Sequence, residues 1–159
     1  ASRPDVFHYG GPNSQVGLLL AYDTALSKSG LDHLKSGPTR VAVLAGGSSA
    51  LLDVRDGETM ANAFIAMGCP AVIGCLWQTD DLADSLLFDA LYRDLVATNW
   101  TCLPASLQRA TGWLRTATKA ECSTRLAQLY GDQGPVRPPD NPHPYANPRH
   151  WAGYLIFGT

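Results

Sequence analysis

Apolar and polar residues alternate along this chain in two periods, and each period predicts a kind of element. Asp5–Tyr9 is a short β-type run that stops at Gly10-Gly11-Pro12-Asn13, residues suited to a tight turn. Val16–Ala21 is apolar and fits either a strand or the start of a helix. Leu26–Leu34 reads as a weak helix closed by Gly37-Pro38. Arg40–Ala45 is nearly continuous in apolar residues, as expected of a strand covered on both faces, and runs into the flexible Gly46-Gly47-Ser48-Ser49. Over Glu58–Met67 the period changes to helical, with Ala61, Phe64 and Ile65 on one side and Gly68 as the stop. A second buried strand is expected at Ala71–Trp77. Thr79 then offers a cap for a helix running to about Val96, with Asp80 and Asp81 in its first turn and Ala83, Leu87, Leu91 and Leu95 on one stripe. Leu103, Leu107, Ala110 and Leu114 mark another helix with Pro104 in its first turn, and Ala120–Tyr130 a third. Gly131–Pro148 holds six of the eleven prolines and reads as an exposed loop, with little in it to pack. Trp151–Phe157 is a last apolar strand.

The order β–α–β–α–β–α–α–β predicts an α/β domain, a mostly parallel sheet with helices on both faces. Ligands and catalysis in such sheets sit beyond the carboxyl ends of the strands. Here those ends are Gly10–Asn13, Gly46–Ser49 and Gln78–Asp81, three loops from separate parts of the sequence.

Composition narrows the possible functions. The 159 residues suit one domain, with 12 Lys+Arg against 14 Asp+Glu and a formal net charge of −2. No basic footprint for nucleic acid is present. The apolar runs fall far short of the roughly 20 residues that cross a bilayer, so no membrane partner is expected. No secretory signal opens the chain, which reads as a piece of a longer intracellular, cytoplasmic protein or as a processed chain. Charged residues make up 16% against a typical level of about 25%. Either small and polar residues cover the surface, or one face is covered by an associated chain or by more of the same chain. Cys69, Cys75, Cys102 and Cys122 form no C-x-x-C pair, and free buried thiols are expected for at least three of them. His8, His33, His143 and His150 are scattered without a metal-binding spacing, so no metal is expected. Trp77, Trp100, Trp113 and Trp151 suit core or half-buried positions, whereas Tyr22 and Tyr145 lie in loop-like surroundings that suit a partner.

Two segments carry a family resemblance. Ala63–Asp81, Ala-Phe-Ile-Ala-Met-Gly-Cys-Pro-Ala-Val-Ile-Gly-Cys-Leu-Trp-Gln-Thr-Asp-Asp, resembles the pattern A-F-x-x-A-G-x-x-x-V-I-G-x-L-W-x-x-x-D of the CHAT and separase-type caspase-like peptidases. The tail His150–Gly158 is similar to that family's closing Y-W-A-A-F-x-L-x-G. The resemblance spans Asp5–Gly158 and implies a caspase-like domain, or its C-terminal half, over residues 1–159, with helical repeats upstream. It implies no cofactor. In the family a histidine follows the first strand and a cysteine follows the next. The thiolate attacks a peptide carbonyl while the imidazole handles the protons and loop amides hold the oxyanion.

Both reactive positions differ in this chain. Aligning Asp5–Asn13 with the family's D-V-L-H-F-A-G-H-G puts Pro12 at the histidine. Aligning Leu44–Ala50 with L-S-A-C-S-T-A puts Gly47 at the cysteine, and a shift of one residue puts Gly46 there. With a gap, His8 becomes the base. Asp81, with Asp80 beside it, matches the acidic position that takes a substrate's basic residue, although both also suit the start of a helix. Gly46 and Ser48 belong to the loop that would hold a peptide. The first expectation is therefore a pseudopeptidase, a non-enzymatic module that binds a protein or peptide. Two alternatives are a thiol endopeptidase acting after basic residues, for which Cys69 and Cys75 are the cysteines nearest the sheet, and a serine hydrolase using Ser48 in a sequence that resembles G-x-S-x-G.

Overall fold

The computed structural model describes residues 5–11, 13–14, 17–20, 24–27, 30, 39–45, 47, 49, 59–131 and 136–158. It has two compact units, one formed by residues 1–78 and 154–159, the other by residues 79–153.

The first unit is built on a four-stranded sheet of β1 (Val6–Tyr9), β5 (Val41–Leu44), β6 (Ala71–Cys75) and β7 (Tyr154–Gly158), in the order β1-β5-β6-β7. β1, β5 and β6 are parallel, and β7 joins β6 antiparallel. The sheet is thus mostly parallel, as expected from the apolar runs. β5 and β6 are buried along their whole length, which is why neither shows alternation. In register, Tyr9 stands beside Leu44 and Leu44 beside Gly74, so the carboxyl ends of the three parallel strands lie on one edge.

One face of the sheet packs on α1 (Met60–Ala66). Tyr9, Ala42, Leu44 and Val72 meet Met60, Ala61 and Phe64, and Phe7 lies 5.1 Å from the Phe64 ring. Thr59 caps α1 by accepting the Asn62 amide at 2.9 Å. Gly68, at φ +94°, ends it, while the Gly68 and Cys69 amides donate to Ile65 and Phe64.

The region between β1 and β5 departs from expectation. β2 (Asn13–Ser14), β3 (Gly17–Leu19) and β4 (Ala25–Leu26) form a separate three-stranded antiparallel sheet. The ambiguous apolar run therefore resolves as a strand. Of the helix expected over 26–34, Leu26 ends β4 instead and packs beside the core, Gly30 is helical as expected, and most of the span lies outside the described residues.

The second unit holds α2 (Asp81–Ala97), α3 (Leu103–Thr116) and α4 (Lys119–Tyr130). The stripe Ala83, Leu87, Leu91 and Leu95 is buried as the period predicts. The Asp89 carboxylate joins α2 to α4 by receiving Arg125 at 2.8 Å, and the Arg125 guanidinium stacks 4.3 Å over Trp113 of α3. The Pro-rich segment is a loop, and most of its described residues are exposed as expected, but it does pack at three points. Pro138, Pro144 and Tyr145 are buried, and Tyr145 is 0% exposed. Pro142 accepts the Lys119 amide at 2.9 Å and His143 Nδ1 lies 3.0 Å from the Thr116 carbonyl, so the segment is fastened where α3 meets α4. Tyr145 is thus a core residue of this unit and does not face a partner; Tyr22 lies outside the described residues.

Candidate functional site

The edge where β1, β5 and β6 end is fixed by backbone and hydroxyl groups. The Ala45 amide donates to Tyr9 at 2.8 Å, extending the β1–β5 ladder past the last strand residue. The buried Ser49 hydroxyl donates to the Leu44 carbonyl at 2.7 Å and accepts the Cys75 amide at 2.9 Å. Ser49 thereby ties the loop after β5 to the end of β6, across 26 residues of sequence. These bonds also engage the Ala45 and Cys75 amides, leaving neither to hold an oxyanion.

Gly47 lies in the turn after β5 against Gln78. A Cβ built there would stand 3.4 Å from the Gln78 Cβ, an ordinary contact. After β1, the Tyr9 ring folds over Gly11: a Cβ on Gly11 would stand 2.6 Å from the Tyr9 hydroxyl. Pro12, Gly46 and Ser48 lie outside the described residues.

His8 is on β1, paired with Val43, which in turn pairs with Ile73. Much of the residue reaches solvent, yet partial burial of the imidazole lowers its pKa from the ordinary 6.5. Cys75 closes β6, rather than lying inside a longer strand. Its thiol is fully buried and donates to the Trp77 carbonyl at 2.9 Å. β5 stands between β1 and β6, so His8 and Cys75 belong to strands about 9–10 Å apart. Cys69 precedes β6 at the opposite end, its thiol on the Ala71 carbonyl at 3.2 Å, and burial raises its pKa. Both thiols are packed against carbonyls, the environment of an inert cysteine. Three of the four cysteines are buried as expected, and Cys102 is exposed.

In the second unit Asp80, not Thr79, caps α2. Its Oδ1 accepts the Leu82 and Ala83 amides at 3.1 and 3.0 Å, while the Thr79 hydroxyl donates to Asp84 at 2.6 Å. Asp81 occupies the first turn and is exposed. The two carboxylates thus differ: that of Asp80 is engaged by its helix, and that of Asp81 faces solvent. Among the described residues no group of acidic, histidine or cysteine side chains is arranged to hold a metal ion. No helix there is long and apolar enough to cross a membrane.

A mostly parallel sheet ending in an antiparallel strand, with helices between strands and the loops after β1 and β5 side by side, defines the α/β caspase-like class. Within that class the chain belongs to the CHAT family: the model of the CHAT domain matches residues 6–159. Neither the curated proteins nor the solved structures contain a match to the chain.

Proposed function

We propose that this CHAT domain is a pseudopeptidase, a module of a larger protein that binds a protein or peptide partner without cleaving it. The observation that carries the proposal is Gly47. It follows β5, next to the end of β1, where the family's nucleophile aligns, and it has no side chain to ionise. Pro12 at the aligned histidine position agrees with this, since its ring can neither take nor give a proton. The buried, carbonyl-bonded thiols of Cys69 and Cys75 offer no substitute. Binding does not require the nucleophile, and the exposed carboxylate of Asp81 suits a basic residue of the partner. The partner is then another part of the same protein or an associated chain.

Arginyl peptide substrates test the proposal directly. The expected result is no turnover, together with saturable binding of an arginyl peptide that Asp81→Asn weakens by about tenfold, as loss of a charge-assisted contact implies. Turnover abolished by a thiol alkylator would establish an active thiol peptidase instead. Labelling of Ser48 by a fluorophosphonate would establish a serine hydrolase.

A further inference from the structure

His150 is one of the few buried polar residues among those described, at 6% exposure, and it lies in the short 3₁₀ helix Pro148–His150 just ahead of β7. Its Nε2 accepts a hydrogen bond from Arg149 Nε at 3.1 Å. That nitrogen therefore carries no proton, and the ring is neutral. The ring meets Tyr145 edge-on, with centroids 5.3 Å apart, and Tyr145 is the fully buried anchor of the Pro-rich segment. In the same turn the His150 amide donates to the Asn147 carbonyl, and the Trp151 and Ala152 amides donate to the Pro148 carbonyl.

We propose that His150 is a proton-operated latch: neutral, it fastens the segment 145–152 that leads into β7, and protonated, it releases that segment. Adding a proton to Nε2 removes this hydrogen bond from Arg149 and sets a second cation beside the guanidinium at a buried ring. The other groups near the ring do not offset this. The Tyr145 hydroxyl has no hydrogen-bond partner among the described residues and cannot take up the charge; near it, burial pushes the Cys122 thiol up to about 11, so it is uncharged near pH 7, and the Tyr130 hydroxyl is hydrogen-bonded to Ser85 at 2.7 Å. The Asp80 carboxylate favours the imidazolium, but it is shared with two amides at the α2 terminus. Burial first and then Arg149 outweigh it, and the His150 pKa lies below 6.5.

Hydrogen exchange on the whole chain, corrected for intrinsic rates, tests the latch between about pH 7.5 and about pH 5. The expected result is that protection of the His150, Trp151 and Ala152 amides falls with pH, by at most about tenfold per unit, the limit for one proton. His150→Phe keeps the edge-on ring contact and is expected to abolish this fall. His8→Gln should preserve it, and Arg149→Gln should move its midpoint upward. Protection independent of pH in the unmodified chain, or the same fall in His150→Phe, overturns the proposal. If His150→Phe does not fold, the imidazole resonances of the unmodified chain decide. Titration of His150 at or above 6.5, or a proton on Nε2 at neutral pH, overturns it; a midpoint below 6.5 that rises in Arg149→Gln supports it.

Discussion

Gly47 and Gly158 are both glycines of the first unit, yet their neighbours predict opposite responses to a side chain. At Gly47 the three atoms nearest the new Cβ all belong to Gln78, at ordinary distance. Gly47→Cys should therefore fold, with a stability change within about 1 kcal/mol by urea denaturation. It should gain a titratable thiol but no turnover of arginyl peptides, because restoring the sulfur does not restore the imidazole at position 12. At Gly158, φ is +90° and a Cβ would collide with the Pro70 carbonyl. Gly158→Ala should cost more than about 2 kcal/mol in the same measurement, from left-handed strain and displacement of backbone. Tyr145 gives a third contrast. Its ring is buried, but its hydroxyl has no hydrogen-bond partner among the described residues. Tyr145→Phe should be neutral or stabilising by up to about 1 kcal/mol, whereas Tyr145→Ala should cost about 3–5 kcal/mol. A clear loss of stability in Tyr145→Phe would show that the hydroxyl does have a partner.

Among the elements, α2 separates the structural use of an acidic residue from a binding use. Asp80 accepts two amides at the helix start, so Asp80→Ala should cost about 0.5–2 kcal/mol. Asp81 only adds charge near the dipole, so Asp81→Ala should cost less than about 1 kcal/mol. Equal losses in thermal unfolding would contradict this division. Sequence patterning located α2 but placed the cap one residue early, at Thr79. Thr and Asp are both good caps, and Thr79 bonding to the Asp84 side chain is a choice made three-dimensionally. The buried strands β5 and β6 and the stripe of α2 were legible because each repeats one physical signal over several residues. β2, β3 and β4 were not, since two or three residues carry too little period to distinguish strand from loop. Tyr145 was misread for a related reason: six prolines and many polar neighbours signal a loop but do not reveal which loop residue is anchored. The candidate edge was legible from strand order and the family resemblance, while the Ser49 bridge to Cys75 was not, because it joins a loop to a strand end 26 residues away.

For the whole molecule, the directions of its pKa shifts set a stability profile with pH. Burial lowers the pKa of both His8 and His150, so the folded chain binds these protons less readily than the unfolded chain does. Stability should start to fall as pH drops through about 6.5 and continue to fall until the folded imidazoles themselves titrate. Carboxylates act lower on the scale. Hydrogen bonds from Arg109 and Ser106 hold Asp94 down to about 2, and Glu121 and Asp140 are lowered by Thr118 and Lys119. Their contribution is present above the ordinary carboxylate range and is lost as pH falls through it, a second descent. At the alkaline end burial pushes Cys122 up to about 11 and Tyr92 to about 12. The unfolded chain then releases those protons first, and stability should decline above about pH 9. Urea denaturation across pH should thus show a plateau near neutrality, a shallow acid step and a steeper one below about pH 4. Replacing both His8 and His150 by phenylalanine should remove the shallow step and leave the steeper one in place. A shallow step that survives in the double variant would assign it to groups other than these two histidines.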